Sequence, residues 1–274
     1  AILNADDDLT YKMKADLDCK IALFSMDENN PRIREHCEDG GMACVYENGY
    51  ITIIKANWKV RVMQVKDIPV TYGGKAKHNV ANVLPAVMST YLFKDISIAD
   101  IRQALQTFIP SSSLTPGRLN FFQLKKCTFL VDFAHNPHGL QLLCDFVSQL
   151  DYPQRVGIIT GTGDRRDEDI RALGEIAASY FDEVILRCDK DLRGRSQNEI
   201  LGLLEEGTRA VKSDARISVI PDEDEALAFA YNTAIEGALI VSMCDSVKGT
   251  LDKVKGLKDK EEEARTTSTV SLVP

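Results

Sequence analysis

The sequence predicts an α/β fold whose C-terminal half is a doubly wound, mostly parallel sheet. Two observations predict it: apolar runs alternate with helix-like runs, and the loops after the apolar runs are rich in Gly, Asp and Arg. The apolar runs cover residues 127–133, 155–160, 183–187, 217–220 and 238–243, and the helix-like runs cover 137–150, 168–180, 196–209 and 222–236. Such alternation forms βαβ units with right-handed crossovers, which makes this half Rossmann-like.

The N-terminal half mixes shorter elements. Asn48-Gly49 joins two apolar runs and predicts a hairpin. Ser97, followed by Asp100, predicts the start of a helix that runs to Phe108. Strands are predicted at 1–4, 20–25, 43–47, 50–55 and 58–64, and helices at 8–15, 80–91 and 97–108. A Pro- and Ser-rich linker at 110–117 divides the chain, so we expect units at 1–113 and 114–257 and a charged, disordered tail at 258–274.

Composition excludes several classes of partner. The net charge of −8 and the pI near 5.2 disfavour a nucleic-acid partner, because an acidic surface repels phosphate. Seven dispersed cysteines without CxxC spacing indicate free thiols in a reducing, cytoplasmic compartment. No apolar run reaches the roughly 18 residues that span a membrane. The four histidines lack metal-ligand spacing, so we expect no metal site within this chain.

The loops after the predicted strands carry the groups that matter chemically, because ligands bind at the carboxyl ends of parallel strands. Asp132 ends the first strand, and Asn136 then precedes Pro137 as an N-cap, with free backbone N–H groups behind it. A plain capped turn is the alternative interpretation. The loop at 161–169 offers two arginines for phosphate or carboxylate, and a solvated charged turn is its alternative. Acids and arginines alternate again at 189–195.

Two further positions stand outside these loops. Arg118 lies at the domain junction, where an arginine can reach a ligand bound to the other unit. Asn79 and Asn82 lie three residues apart at a helix start, and side-chain amides so placed can contact the polar edge of a purine. N-capping by Asn79 is the alternative use.

Taken in order, the motifs at 78–82, 117–118, 132–137 and 163–169 resemble those of the Mur ligase family. That resemblance implies a partial central ATPase domain over residues 1–113 and a Mur ligase C-terminal domain over 114–257. It also implies ATP and Mg²⁺ as cofactors and amide-bond formation through an acyl phosphate. Among family members, the match is greatest to those that add arginine to aspartate side chains of a polyaspartate backbone. A polypeptide acceptor and a homo-oligomeric full-length enzyme are implied too.

The resemblance also implies roles for individual residues. The catalytic residues that it implies are Arg118, Asp132 and His135. The nucleotide-binding residues that it implies are Asn4, Asp7, Asn79, Asn82, Arg118 and Asp132. The residues implied for the incoming amino acid are Asn136, Asp164, Arg165, Arg166 and Arg193. If that amino acid is arginine, Asp189 and Asp191 are candidates for its guanidinium by charge complementarity alone.

One departure from the family is serious. The family's phosphate loop, of the GlyLysThr type, does not occur in this sequence, which opens on an apolar strand directly before Asn4. We therefore expect a fragment of a longer ligase that is inactive alone. Another Mur-type ligase, for folylpolyglutamate or muramyl peptides, is one alternative, and a non-catalytic binding module without the phosphate loop is another. A dinucleotide-binding dehydrogenase is disfavoured because GxGxxG is missing after the first strand of the C-terminal half.

Overall fold

A computed structural model describes the chain over residues 1–270, with side chains over residues 1–261. The chain divides into two compact units, the first covering Ala1–Ile109 and the second beginning at Pro110. This division falls at the first residue of the predicted linker, slightly before the predicted boundary between 113 and 114.

The first unit contains a mixed five-stranded sheet in the order β1-β2-β3-β4-β5. Its first three strands are parallel, and its last three form antiparallel pairs. The predicted hairpin is confirmed: Asn48 and Gly49 both have positive φ, as its tight turn requires. The strands are β1 (Ile2–Asn4), β2 (Ala22–Ser25), β3 (Met42–Glu47), β4 (Tyr50–Lys55) and β5 (Trp58–Gln64).

Four helices accompany this sheet: α1 (Asp8–Lys12), α2 (Pro31–Glu38), α3 (Lys77–Tyr91) and α4 (Ile98–Thr107). The predicted cap of α4 is confirmed, since Ser97 and Asp100 form a reciprocal capping box. Helix α3 begins three residues earlier than predicted and has Ala76 at its N-cap, so the N-cap interpretation of Asn79 was wrong. The sequence analysis missed α2.

The core of the first unit lies between α3 and the sheet. Val80, Leu84 and Met88 of α3 pack in one cluster with Ile51 and Ile53 of β4. These α3 residues recur every four positions, so they form one apolar stripe that faces the strands. Burial of this stripe fixes the position of the polar residues at the start of α3.

The free edge of this sheet at β5 is covered. Ile51 and Thr52 of β4 pair with Met63 and Arg61 of β5, so Val62 is the extra residue of a β-bulge in β5. There the Arg102 guanidinium of α4 donates from Nε to the Val62 carbonyl at 2.6 Å and from Nη2 to the Arg61 carbonyl at 3.0 Å. The bulge and the arginine together occupy backbone acceptors that an edge strand otherwise leaves open.

The second unit contains a six-stranded sheet in the order β10-β9-β8-β11-β7-β6. All its pairs are parallel except β6–β7, which confirms the predicted parallel sheet and adds an antiparallel edge strand that was not predicted. Strands β7 and β11 are buried at every position, so both faces of the sheet are covered. The strands are β6 (Asn120–Gln123), β7 (Cys127–Asp132), β8 (Arg155–Gly161), β9 (Glu183–Cys188), β10 (Arg216–Val219) and β11 (Ala238–Met243).

The helices of this unit are α5 (Pro137–Val147), α6 (Asp167–Tyr180), α7 (Gln197–Val211), α8 (Glu223–Thr233) and α9 (Val247–Val270). Helices α6 and α7 approach closely, because Gly174 and Gly207 lie where a Cβ would meet backbone of the opposite helix.

Helix α9 runs through residues 258–270, where a disordered tail was predicted. The Glu261 carboxylate is fixed by Lys125 N and the Tyr231 hydroxyl, contacts that a charge pattern alone does not reveal. Residues 271–274 of that predicted tail lie outside the described residues.

Candidate functional site

The carboxyl ends of β7, β8, β9 and β11 lie side by side along one edge of the six-stranded sheet. Each strand leads into a polar loop, and the following helix starts from that loop. Most of the residues predicted for chemistry lie in these loops, as the strand order requires. The loops nevertheless differ in the hydrogen bonds and ion pairs that hold them. These contacts distinguish side chains that can face a ligand from side chains that fix the loop itself.

Arg118 lies on a loop held by buried side chains. The Asn120 side chain accepts from Gly117 N at 2.7 Å and donates to the carbonyls of Thr115 and Arg118. The Asp132 carboxylate accepts from Leu119 N at 2.9 Å, and Leu119 has a positive φ of 47°. These bonds fix the backbone on both sides of Arg118 while its side chain stays exposed.

Asp132 is only 8% exposed, and it therefore positions Arg118 rather than facing solvent. Burial raises the pKa of its carboxyl, whereas the bond from Leu119 N and the nearby Arg118 charge lower it. The sequence analysis missed Asn120, which is 3% exposed and performs the same task. An asparagine directly after a Gly-Arg-Leu turn is the signal that was available.

His135 and Asn136 follow β7 and have different surroundings. His135 Nδ1 lies 2.9 Å from the Phe133 carbonyl, and because a carbonyl only accepts, Nδ1 carries the proton. In neutral His135, Nε2 therefore keeps its lone pair. Arg118 lies over the Phe133 ring at 5.8 Å, so Phe133 contacts two of the three predicted catalytic side chains, Arg118 and His135. Asn136 caps α5 by accepting from Gly139 N at 2.7 Å, which confirms the predicted N-cap, while its role toward the amino acid stays a prediction.

The loops after β8 and β9 contact each other. Arg193 Nη1 and Asp164 Oδ2 form an ion pair at 2.9 Å, which brings together two residues predicted to hold the amino acid. Arg193 has a positive φ of 45°, and its backbone N–H donates to the Asp191 carboxylate. The Asp191 side chain therefore stabilises a turn within its own loop.

Arg165 and Arg166 are adjacent in sequence and have different environments. Arg166 is exposed, and its guanidinium forms a two-point ion pair with Asp169 at the start of α6. Arg165 is partly buried, and its Nε is buried with no hydrogen-bond partner among the described residues.

Asp189 belongs to a buried charged network that the sequence analysis did not foresee. The Arg187 guanidinium is fully buried and lies 3.4 Å from Asp189 and 3.2 Å from Glu223. Thr160 donates to Asp189 at 2.8 Å, and Arg187 donates to the Met243 carbonyl at 2.7 Å. Burial raises the pKa of Asp189, the Thr160 bond and Arg187 oppose that rise, and the Asp245 charge adds to it.

A cavity of about 280 Å³ opens beside this network. Its acidic lining residues are Asp189, Asp222, Glu223 and Asp245, and its basic ones are Arg187 and Lys190. Arg187 already neutralises part of that charge, since it pairs with Asp189 and Glu223. Asp222 caps α8, whereas Asp245, at the end of β11, was not predicted.

In the first unit, Asn79 and Asn82 line a largely apolar cavity of about 340 Å³ between α3 and α4. Its apolar walls include Val83, Leu105 and Phe108. Asn79 donates to the Val70 carbonyl at 2.8 Å, which fixes its amide group, and Asn82 is exposed. An apolar cavity lined by two side-chain amides has the chemistry that a purine base requires.

Asn4 and Asp7 have local structural roles. The Asn4 side chain accepts from Asp6 N, and Asp7 caps α1 by accepting from Thr10 N. The residue of this loop that connects two strands is Asp6, which accepts from Met26 N at 2.7 Å and from Asn30 at 2.9 Å. The nucleotide roles of Asn4 and Asp7 remain predictions.

The comparisons with known proteins bear on this geometry. Residues 117–244 match the family described as "Mur ligase, glutamate ligase domain". These residues form a Mur ligase C-terminal domain.

Relatives extend the likeness beyond this domain to the first unit. This chain is 39% identical over 274 residues to cyanophycin synthetase of Trichormus variabilis, and the match covers 99% of this chain and 30% of that relative. The cyanophycin synthetase of Synechocystis sp. is 40% identical over 258 residues, covering 94% and 29%. A diaminopimelate ligase of Buchnera aphidicola is 29% identical over 157 residues, covering 57% and 30%. The chain thus spans about 30% of the length of these relatives.

Solved structures agree on the Mur ligase-like fold. A murein peptide ligase from Psychrobacter arcticus has a TM-score of 0.57 at 14% identity, covering 87% of this chain and 51% of its own. A folylpolyglutamate synthase/dihydrofolate synthase from Yersinia pestis, complexed with AMPPNP and Mn ion, has a TM-score of 0.54 at 19% identity, covering 86% and 53%. In the part of the Mur ligase chain that the structure describes, no helix is long and apolar enough to cross a membrane.

Proposed function

We propose that this chain is the base-binding and amino-acid-binding part of an ATP-dependent amide ligase that adds arginine to aspartate side chains of a polyaspartate backbone. The observation that carries the proposal is the pair of joined loops after β8 and β9, which the Asp164–Arg193 ion pair connects and which carry the partly buried Arg165. The similarity to cyanophycin synthetases over nearly the whole chain supports the choice of reaction.

The incoming amino acid has a carboxylate and a cationic side chain, and the loops offer a partner for each. Arg165 is the partner for the carboxylate, since a guanidinium binds carboxylate through two parallel bonds. Asp189 and Asp245, on the wall of the adjacent acidic cavity, are the partners for the guanidinium of arginine. The pair Asp164–Arg193 lies between the two loops and limits their separation.

The nucleotide fits this chain only through its base. The cavity lined by Asn79 and Asn82 takes the adenine, whose polar edge meets the two amides. No phosphate loop of the GlyLysThr type occurs in the sequence, and among the described residues no group of three or more His, Cys, Asp or Glu is arranged to hold a metal ion.

The residues after β7 fit the proton chemistry of amide formation. The α-amine of the amino acid must lose a proton when it attacks an activated carboxylate. His135 Nε2 has a lone pair in the neutral ring, and its orientation is fixed through Nδ1. Asn136 keeps the neighbouring N-terminus of α5 in place, and the partial positive charge there favours the carboxylate of the substrate.

The test is a titration of the chain with arginine, glutamate, lysine and diaminopimelate, measured by calorimetry. We expect arginine to bind most tightly. Arg165→Gln should weaken arginine binding at least tenfold, because the carboxylate loses its partner. Arg171→Gln is the matched control, since Arg171 pairs with Glu206 of α7 away from the loops, and its affinity should equal that of the wild type. Preference for glutamate would instead favour a folylpolyglutamate-type ligase and reject arginine.

The nucleotide half has a separate test, the binding of a fluorescent adenine nucleotide. Asn82→Ala should weaken binding, because one amide at the base is lost. Ser89→Ala is the control on the same helix, since Ser89 bonds the Ala86 carbonyl and is not among the cavity-lining residues. Equal affinity of the two variants would place the base elsewhere.

A further inference from the structure

The guanidinium of Arg195, on the loop after β9, contacts the loop after β8 at three points. Its Nε donates to the Gly163 carbonyl at 2.8 Å and its Nη2 to the Arg165 carbonyl at 2.9 Å. Nη2 also forms an ion pair with Asp167 at 2.7 Å. The Arg195 side chain is 24% exposed, so these bonds are partly shielded from water.

A second contact between the same loops is steric. A Cβ at Gly163 would lie 2.0 Å from the Leu192 carbonyl oxygen, so only glycine permits this approach. The bonds of Arg195 and the contact at Gly163 are independent, since one involves a side chain and the other only backbone. Both hold the loops at one separation.

We infer that Arg195 is a positioning residue that makes the two loops bind the amino acid as one unit. The inference rests on the proposed function, because Arg165 and Asp189 are there assigned to the amino acid. Arg195 holds the backbone of Arg165 directly and lies two residues from Arg193. It therefore sets the distance between Arg165, on one loop, and Arg193 and Asp189, on the other.

The physical reason is the cost of ordering. A loop that must be immobilised when a ligand arrives loses conformational freedom, and that loss reduces affinity. Arg195 fixes the loop in the free protein, so the amino acid meets its partners already in place. Its planar fork matters as much as its charge, because only a guanidinium can bond both carbonyls in one plane.

The experiment compares the 274-residue chain with four variants, by calorimetry with arginine and by hydrogen exchange. Arg195→Gln removes the fork and the charge, Arg195→Lys keeps the charge, and Gly163→Ala separates the loops sterically. Arg171→Gln is the control, since Arg171 joins α6 to Glu206 of α7 away from the loops. We expect the first three variants to weaken arginine binding at least tenfold and to speed exchange at 161–167, while adenine-nucleotide affinity stays unchanged. The control should change neither.

The outcomes separate the inference from the proposed function. If wild type binds arginine and Arg195→Gln binds it equally well, the inference is overturned and the proposed function stands. If Arg195→Lys binds arginine as tightly as the wild type does, the role of the planar guanidinium is overturned. Parallel loss of arginine and nucleotide binding in Arg195→Gln indicates general unfolding and also overturns the inference. If the wild type binds none of the amino acids tested, the proposed function fails, and the inference fails with it.

Discussion

The buried guanidinium of Arg187 lies 3.2 Å from the Glu223 carboxylate, and the same Nη2 donates to the Met243 carbonyl. One side chain thereby joins the ends of β9 and β11 to the start of α8. Glu223 also accepts from the Thr250 hydroxyl at 2.8 Å, which extends the network to α9.

Arg187→Met should therefore destabilise the chain strongly. It leaves the carboxylates of Glu223 and Asp189 buried without their cation, and breaking a buried pair in this way costs about 3–5 kcal/mol. Arg209→Met is the control, since Arg209 forms an exposed ion pair with Glu205 and its loss costs below about 1 kcal/mol. Urea unfolding measures both, and comparable losses would contradict a structural role for Arg187.

Two glycines of α7 should respond oppositely to alanine. A Cβ at Gly207 would lie 2.0 Å from the Arg171 carbonyl oxygen of α6, so Gly207→Ala forces the helices apart and costs about 1–3 kcal/mol or more. Gly202 has nothing within 4 Å of its added Cβ, so Gly202→Ala should stabilise by about 0.8–1 kcal/mol through helix propensity. Thermal unfolding of each variant measures the difference, and a shared sign would refute the packing of α6 on α7.

The stability of the chain should carry a pH signature from Asp132. Because burial raises the pKa of Asp132 above its ordinary value of 3.8, the folded chain binds that proton more tightly than the unfolded chain. This contribution to the free energy of unfolding is fully present below pH 3.8 and is lost as the pH rises through the raised pKa of Asp132. Asp132→Asn removes the titration and keeps an acceptor for Leu119 N. The stability of wild type relative to this variant should fall as the pH rises from 3.8 through the raised pKa of Asp132.

Urea midpoints measured across that range test the prediction. A difference that is constant or grows with pH would mean that Asp132 is ionised in the folded chain without cost. The groups whose pKa the fold lowers, such as Glu47 beside Lys59, contribute pH dependence of the opposite sign. They cancel in the comparison because both proteins contain them.

The last described part of α9 should contribute to stability through Glu261. Its carboxylate accepts from Lys125 N at 2.7 Å and from the Tyr231 hydroxyl. Glu261→Ala should cost about 1 kcal/mol, because two hydrogen bonds to a charged acceptor are exchanged for water. Asp259→Ala is a control on the same turn. Equal stability of the two variants would show that Glu261 adds nothing.

The sequence predicts the second unit well, because its strands are long apolar runs separated by amphipathic helices. It fails where the signal is short or distant. Helix α2 has only Ile33 and Cys37 as buried apolar positions, although Asn30 before Pro31 marked its start. Strand β6 has four residues and gains its stability by pairing with β7.

The candidate site divides in the same way. Asp164 and Arg193 were predicted for one role, and the structure pairs them. The residues that position such groups, Asn120 and Arg195 among them, were not predicted. Their partners lie on other loops or are backbone atoms, which no residue pattern displays. Burial of Arg187 depends likewise on Glu223, which is remote in sequence.

Arg102 makes the two borders of the five-stranded sheet unequal. At β5 the guanidinium occupies the Arg61 and Val62 carbonyls, so an incoming strand cannot form a continuous ladder there. Among the described residues, no arginine bonds the backbone of β1 in this way. If this sheet is ever enlarged, in a longer polypeptide or in an engineered fusion, growth is therefore directional: strands add beside Ile2–Asn4 and not beside Trp58–Gln64.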